Sequence, residues 1–246
     1  MHVVREFYEV IPSTQPRARA LAAAGAPAGS RVVAARQTDG RGRLDHRWAS
    51  PPGGLYLSVI VRAPRAAETL LPLAIGAELA LEVRRRWSVE VRLKWPNDLW
   101  VEADGVGPRK LGGVLIDEFP GSDGHRVAVV GIGINVARPV EGYPAGMRVA
   151  PVALSELTSD PPAVGEVEEA AVAAALRASV ALEGPGGSDA ELRTVRALLY
   201  GVGRIGAVDG ETRGRIRSVA DDGALLLEVE GTLVPFRAGD LTMEAS

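Results

Sequence analysis

Three strand-like segments follow one another between residues 91 and 136, separated by short stretches rich in Gly, Pro and Asp. They read VRLKWPNDLWVE, KLGGVLIDE and HRVAVVGIGINV. Such short connections favour antiparallel neighbours, because a parallel pair needs a longer crossover. An earlier segment, LYLSVIV, shows little alternation, which predicts a central strand covered on both faces. The chain is therefore expected to fold around a mixed, largely antiparallel sheet.

The remaining segments predict an α+β fold with helices flanking the sheet. The helix after the first strand has Ser13 or Thr14 as its N-cap and Gly25 as its stop. Apolar residues at helical spacing predict the longest helix from about Ala66 to Trp87. Two more strands are predicted at His2–Ile11 and Arg31–Gln37, and two more helices in VEEAAVAAALRASVALE and DAELRTVRALLY. We expect the helices on one side of the sheet.

The end of the chain changes character near Tyr200–Gly203. From Val202 to Met243, short strands alternate with DG, ADDG, EG and AGD turns, which predicts a small β-barrel of about 45 residues. The GVGRIG segment, Gly201–Gly206, follows a helix and precedes strands, the reverse of a dinucleotide-binding motif, so it is interpreted as an interdomain turn. The predicted domains are 1–200 and 201–246.

Composition excludes several classes of protein. A net charge of -3 and a pI near 5.7 argue against bulk nucleic acid as the main partner. The absence of cysteine removes thiol nucleophiles and disulfides, and His2, His46 and His125 lack the spacing of a zinc site. No P-loop pattern is present. No stretch approaches the ~18 apolar residues of a membrane span, and the N-terminus does not resemble a signal peptide, which predicts a cytoplasmic protein.

The segment QTDGRGRLDHRW, Gln37–Trp48, predicts an anion-binding loop. Arginine guanidinium groups donate paired hydrogen bonds to carboxylate or phosphate, and Gly40 and Gly42 allow the backbone to approach such an anion. A solvated basic hairpin is the alternative, since runs of charge are usually solvated. Trp48 favours the first interpretation, because an indole in a loop commonly covers a flat or apolar ligand.

Two further motifs add to this pocket. KWPNDLW presents Lys94, Asn97 and Asp98 together, although a turn in which Asn97 and Asp98 satisfy their own backbone is the alternative. RKLGGV places Lys110 at the mouth of a strand, where a lysine is costly unless it meets an anion. Gly112–Gly113 are expected to leave room for a ligand. The glycines of VVGIGIN are expected to let a ligand or another part of the backbone approach the strand closely. The residues alone indicate an anion-binding α+β enzyme.

The motifs taken in order resemble those of biotin protein ligases. The resemblance rests on STQ at residues 13–15, QTDGRGR…W, GGLYLSV, KWPNDL, KLGGVLIDE and GIGINV. The segment GALLLEVEGTLVPFRAGDLTM is similar to the family's small C-terminal SH3-like barrel. The resemblance implies a two-step reaction, in which biotin and MgATP form biotinoyl-5′-AMP and pyrophosphate. The biotinoyl group is then transferred to a lysine of a biotin carboxyl carrier domain of acyl-CoA carboxylase.

The resemblance also implies roles for individual residues. Lys110, Arg43 and Asp98 are the expected catalytic residues. Those expected to bind biotin are Ser13, Thr14, Gln37, Gly40, Arg41, Gly42, Arg43 and Lys110. Those expected to bind the nucleotide are Trp48, Lys94, Asn97 and Asn135. Mg²⁺ is expected to accompany ATP near Asn97 and Asp98, with no certain metal ligand in the protein.

The family pattern also leaves alternatives open. Gln15 stands where many relatives carry Asn, and Asp45–His46 stand where the loop often has a second glycine, so these residues are kept out of the catalytic set. No helix-turn-helix segment precedes Met1, so we expect no DNA binding. The sequence does not decide whether the protein forms a homodimer, because the family uses sheet edges both for dimers and for acceptor docking.

Two competing functions are a lipoate protein ligase and a non-catalytic biotin-binding or carrier-binding module.

Overall fold

The computed structural model describes residues 2–44, 46–63, 69–103, 107–121, 126–184 and 187–244. Its main sheet has seven strands in the order β1-β2-β3-β7-β6-β5-β4. β1 and β2 pair in parallel and every other neighbouring pair is antiparallel, which confirms the predicted mixed sheet. These strands are β1 Arg5–Ile11, β2 Arg31–Gln37, β3 Gly54–Arg62, β4 Arg92–Lys94, β5 Asp98–Ala103, β6 Gly107–Pro120 and β7 Arg126–Asn135.

Helices cover both faces of the main sheet, so the prediction of helices on one side is wrong. Alternate residues of β3 explain this: Val59 packs with the large helices, whereas Ile60 packs with α1. A strand with apolar residues at successive positions has two faces to bury, so each face needs its own cover. The helices are α1 Thr14–Ala23, α2 Leu70–Trp87, α3 Val164–Glu183 and α4 Gly187–Leu198.

The helix boundaries follow local signals. Ser13 is the N-cap of α1 and its hydroxyl accepts the backbone N–H of Gln15, and Gly25 follows the helix with a φ of +83°. α2 ends at Trp87, as predicted, while the predicted start at Ala66 lies outside the described residues. His125 and Asp45 also lie outside them.

The segment VRLKWPNDLWVE is two strands, which corrects the prediction of one. β4 and β5 form a tight hairpin with Lys94 opposite Asp98, and the turn between them contains the cis peptide bond Trp95–Pro96. Proline has no backbone N–H to donate to a sheet, and residues 95–97 form the turn between the two strands. The hairpin brings Lys94 and Asp98 side by side.

A second, five-stranded antiparallel sheet follows α4 in the order β11-β10-β9-β8-β12. Its strands are β8 Ile205–Val208, β9 Thr212–Val219, β10 Leu225–Val229, β11 Thr232–Phe236 and β12 Leu241–Met243. This sheet is consistent with the predicted SH3-like barrel, and Gly201–Arg204 form a turn before it rather than a nucleotide loop. The indole Nε1 of Trp95, which is fully buried, donates to Gly223 O of this part of the chain. The domain boundary near residue 200 stays a prediction.

A buried carboxyl group lies among the three long helices on one face of the main sheet. Glu191 of α4 is 8% exposed, and its Oε2 has no hydrogen-bond partner among the described residues. Burial, reinforced by the negative charge of Glu78 and opposed by Arg177, raises the pKa of Glu191 from 4.5 to about 7. The folded protein therefore holds a proton here that the unfolded chain releases at lower pH.

We expect this proton to make stability depend on pH. Because the folded-state pKa is raised, the free energy of unfolding decreases as pH rises from about 4.5 through 7. Glu191→Gln removes this titration and is expected to be more stable than the wild type at pH 8 by about 2 kcal/mol. Urea unfolding at pH 5 and pH 8 measures the difference. Glu169→Gln, at an exposed position of α3, is the control. An unchanged pH slope in Glu191→Gln would contradict the assignment.

Candidate functional site

A cavity of about 920 Å³ opens on the α1 side of the main sheet. Its floor consists of small residues that face the same way on neighbouring strands: Ser58 lies opposite Gly131, and Gly133 lies opposite Gly113. The glycines of GIGIN therefore serve close approach, as predicted. Gly112 does not belong to this floor, because an added Cβ there would meet Gly133 O at 2.5 Å and Ile134 on the other face. The expectation that Gly112 makes room for a ligand is wrong, since side chains alternate along a strand.

One end of the cavity is closed by a buried network of hydroxyl and amide groups. The backbone N–H of Thr14 donates to Oε1 of Gln37 at 2.9 Å, and the Thr14 hydroxyl bonds that of Ser58 at 2.7 Å. Ser58 Oγ donates to Oε1 of Gln15 at 2.8 Å, while Gln15 Nε2 donates to Val129 O at 2.9 Å. These contacts fix the start of α1 on the sheet. They present a polar, uncharged wall to a ligand.

Ser58→Ala is expected to destabilise this wall. The change leaves the Thr14 hydroxyl and Gln15 Oε1 without a partner that each has now, and an unsatisfied buried group costs about 1–3 kcal/mol. The free energy of unfolding, measured by urea denaturation, should fall by that amount. Ser218→Ala, whose hydroxyl makes one long bond of 3.4 Å in the second sheet, should change it by less than about 0.5 kcal/mol. Equal effects of the two changes would argue against the network.

The arginine loop, residues 39–48, forms a small hairpin in its described residues, 39–44 and 46–48. Gly42 N donates to His46 O at 2.7 Å and Trp48 N donates to Gly40 O at 2.9 Å. Gly40 is required by the loop itself, because an added Cβ would lie 2.4 Å from Trp48 O. Both interpretations of the loop hold in part: Arg47 is solvated and paired with Asp39 at 2.9 Å, whereas Arg43 reaches towards the interior of the protein.

Trp48 lies against the cavity floor at Gly133. An added Cβ at Gly133 would meet the indole at 2.6 Å, and Nζ of Lys110 lies 5.1 Å from the centroid of the indole ring. The buried indole Nε1 has no hydrogen-bond partner among the described residues. A buried donor of this kind is costly, so it is a candidate contact for a ligand acceptor.

Lys110 of β6 is held by its neighbours on the sheet. Its Nζ pairs with Asp98 Oδ1 at 2.7 Å. Its backbone N–H and its backbone carbonyl both form hydrogen bonds with residues 150–152. Asn135 Nδ2 donates to Lys110 O at 3.3 Å and to Val152 O at 3.1 Å. Asn97 Nδ2 donates to Val114 O at 2.7 Å. The alternative that Asn97 and Asp98 satisfy only their own backbone is therefore wrong.

Two more cations reach the cavity next to the second sheet. Lys94 is 6% exposed, its Nζ lies 3.5 Å from Asp240 Oδ1, and burial lowers its pKa against the opposing effects of Asp98 and Asp240. Arg43 Nη1 donates to Gly239 O at 3.2 Å, and burial likewise lowers the pKa of its guanidinium. Positive charges held partly out of water favour an anionic ligand.

The structure brings together nearly all residues that the sequence predicted for the site. The cavity is lined by Ser13, Thr14, Gln37, Arg41, Gly42, Arg43, Trp48, Lys94, Asn97, Asp98, Lys110 and Asn135, and Gly40 lies behind this lining. Sequence reasoning missed Ser58 and Asp240. A polar residue within the apolar run LYLSVIV was a signal for Ser58, whereas Asp240 belongs to an ordinary AGD turn and gave none.

The described residues do not contain a protein-only metal site. No group of three or more His, Asp or Glu side chains among them is placed to hold a metal ion. Asp98, the carboxylate beside Asn97, already pairs with Lys110. Within the same described ranges, no helix has the length and apolar character needed to cross a membrane.

Comparisons with known proteins agree with this arrangement. The profile of the Biotin/lipoate A/B protein ligase family matches residues 7–135. The bifunctional ligase/repressor BirA of Salmonella typhimurium is 33% identical over 228 residues, which cover 89% of this chain and 68% of that protein. BirA of Bacillus spizizenii is 31% identical over 157 residues, which cover 63% of this chain, and the match spans about half, 47%, of that relative.

The fold is also that of a solved biotin protein ligase. A structure of the enzyme from Aquifex aeolicus in complex with biotin and ATP superposes with a TM-score of 0.81, covers 99% of both chains and is 24% identical. The matching profile covers more than half of the sequence, and the residues that line the cavity come largely from that part. The chain therefore belongs to the biotin/lipoate A/B protein ligase family.

Proposed function

We propose that this protein is an ATP-dependent ligase that activates biotin as biotinoyl-5′-AMP and transfers the biotinoyl group to a lysine of a biotin carboxyl carrier domain. The observation that carries the proposal is the cavity itself. One end has a polar, uncharged wall, and Lys110, Lys94 and Arg43 reach the other parts of the same space. The two named relatives are bifunctional ligase/repressors, and the Aquifex structure is that of a biotin protein ligase in complex with biotin and ATP.

In the first step, a carboxylate oxygen of biotin attacks the α-phosphorus of ATP and the bond to the β-phosphate breaks, releasing pyrophosphate. Thr14 and Gln37 of this wall, with Ser13 beside them, suit the ureido group of biotin, because their hydroxyl and amide groups can donate to and accept from its N–H and C=O groups. Lys110 and Arg43 provide fixed positive charge where the two anions meet. The biotin-binding roles of Arg41, Gly42 and Gly40 rest on their place in the arginine loop.

In the second step, the acceptor lysine loses its ammonium proton to the solvent and its neutral amine attacks the anhydride carbonyl; the C–O bond to AMP breaks, AMP leaves and the new amide nitrogen gives up a second proton. Asp98, held by Lys110, is proposed to help place the incoming amine, which is attracted to a carboxylate as an ammonium ion. Trp48, Asn97, Asn135 and Lys94 are proposed to contact the nucleotide. Covering the anhydride with the arginine loop keeps water away from it, which limits hydrolysis.

Magnesium enters this scheme as part of the substrate MgATP. Mg²⁺ commonly binds through one or two carboxylates together with substrate phosphates and water. Asp98 and the side-chain amide oxygen of Asn97 fit such a supporting role better than that of a resident metal site. A cytoplasmic location agrees with the need for ATP, and a homodimer and the absence of DNA binding stay predictions.

The test is a two-stage assay with purified protein. Biotin or lipoate is incubated with MgATP and pyrophosphate release is measured, and a biotin carboxyl carrier domain is then added and its mass determined. We expect biotin-dependent pyrophosphate release and a biotinoyl mass increase on one lysine. Preference for lipoate would identify a lipoate ligase instead, and biotin binding without either product would identify a binding module.

A further inference from the structure

Three distant segments meet at the mouth of the cavity through one arginine. Arg148 belongs to the strap, residues 139–150, which lines the cavity. Its Nη2 donates to Asp240 Oδ2 at 2.7 Å, and its Nη1 lies 3.0 Å from Nε2 of His46. Asp240 belongs to the turn before β12 of the second sheet, and His46 belongs to the arginine loop. Arg148 thus links the strap, the loop and the second sheet.

The turn at Asp240 is itself fixed and tied to the cavity interior. The backbone N–H of Asp240 donates to Asp209 Oδ1 at 2.7 Å, and its second carboxylate oxygen lies 3.5 Å from Nζ of Lys94. The adjacent Gly239 O accepts a hydrogen bond from Arg43 at 3.2 Å. One short turn of the second sheet therefore contacts the strap and two cations of the cavity.

We propose that Arg148 and Asp240 form a clasp that holds the strap and the arginine loop against the second sheet, so that an acyl-adenylate is retained until the acceptor arrives. This inference rests on the proposed ligase function. Both are positioning residues, because they act through the segments they hold and through Lys94. The clasp gives the second sheet a role in the reaction cycle that no site residue predicted from sequence had implied.

Breaking the Arg148–Asp240 ion pair is expected to affect retention of the acyl-adenylate more than the stability of the fold. The side chain of Arg148 is 62% exposed, and an ion pair at such a position contributes little to folding. Yet all three linked segments border the same opening, so losing the link raises the fraction of time that the mouth is open. The clasp is therefore expected to control ligand release far more than unfolding.

The experiment measures release of biotinoyl-5′-AMP directly. Labelled biotinoyl-5′-AMP is bound to the full chain and chased with an excess of unlabelled compound, and its dissociation rate is followed. We expect Arg148→Gln and Asp240→Asn each to release it about 5- to 10-fold faster, with the urea unfolding midpoint unchanged in Arg148→Gln. The double variant should release it no more than about 2-fold faster than Asp240→Asn, because both changes break the same Arg148–Asp240 ion pair.

A change elsewhere in the second sheet provides the control. Glu228→Gln breaks an ion pair with Arg217 in the second sheet, outside the cavity lining, and should release at the wild-type rate. Wild-type release from both clasp variants would overturn the clasp. Faster release from Asp240→Asn but not from Arg148→Gln would also overturn the clasp. It would show that Asp240 acts through its contact with Lys94. Failure of the wild-type chain to bind biotinoyl-5′-AMP would overturn the proposed function and the clasp with it.

Discussion

Lys110→Ala is expected to lower the rate of biotin-dependent pyrophosphate release at least about 100-fold, with the fold intact. The ammonium group is held 2.7 Å from Asp98 and beside Trp48, so its charge is already positioned and needs little reorganisation during the reaction. Its loss removes positive charge from the point where the biotin carboxylate and the α-phosphate are proposed to meet. The Asp98 carboxylate is left behind, where it repels both anions.

The measurement is single-turnover formation of biotinoyl-5′-AMP, with circular dichroism as the check on folding. The sequence contains two lysines, Lys94 and Lys110, and both line the cavity, so the matched control comes from an arginine. Arg92→Ala, on β4 with an exposed side chain, removes a cation from the same sheet and should keep full activity. More than about one-tenth of wild-type activity in Lys110→Ala would contradict the assigned role.

A second variant identifies the cause of the loss. Asp98→Asn combined with Lys110→Ala removes the carboxylate that the single change leaves unpaired. If stabilisation by the ammonium charge is what matters, the double variant stays as slow as Lys110→Ala. Substantial recovery would show that repulsion by the unpaired Asp98 carboxylate caused the loss, since interacting residues give non-additive effects.

Gly133→Ala is expected to weaken binding of biotinoyl-5′-AMP at least about 10-fold, because it acts on the cavity floor rather than on a charge. A Cβ at this position would lie 2.6 to 2.8 Å from three atoms of the Trp48 indole, closer than non-bonded atoms approach. Gly133 lies in β7, whose backbone is held by strands on both sides, so the indole must move. It would move into the space proposed for the ligand.

Equilibrium binding of biotinoyl-5′-AMP and tryptophan fluorescence measure this effect. Gly165→Ala adds the same methyl group near the start of α3, where nothing lies within 4 Å of the added Cβ, and should leave binding unchanged. Wild-type affinity in Gly133→Ala would show that Trp48 does not set the shape of the ligand pocket. A large loss of stability in place of weaker binding would show that the strand backbone moves to accommodate the methyl group and that the indole does not.

Much of the site could be predicted because its motifs lie in contiguous stretches of sequence. Glycines next to arginines indicated a loop that approaches an anion, and a lysine at a strand mouth indicated a charge that needs a partner. Resemblance to a family then gave these residues roles, which spacing alone had not done. The structure places the two lysines, Arg43 and Trp48 around one cavity, as the anion-pocket hypothesis required.

Other features depended on long-range contacts and were missed or misjudged. Gly112 and Gly113 look equivalent in the sequence, but side-chain alternation puts one towards α2 and α3 and the other on the cavity floor. α1 covers the face opposite the other helices, which no local periodicity reveals. The link from Arg148 to Asp240 joins residues 92 positions apart, and nothing near either residue indicates it.

The sequence by itself determined most of the strands, the N-cap and end of α1, the cationic motifs and the likeness to biotin protein ligases. These features are encoded by neighbouring residues through side-chain periodicity, turn geometry and local charge. Only the tertiary structure decided which face of the sheet holds the cavity, which glycine Trp48 covers and which turn of the second sheet reaches Lys94. Those outcomes depend on strand register and on packing between elements, which arise from contacts between residues far apart in the chain.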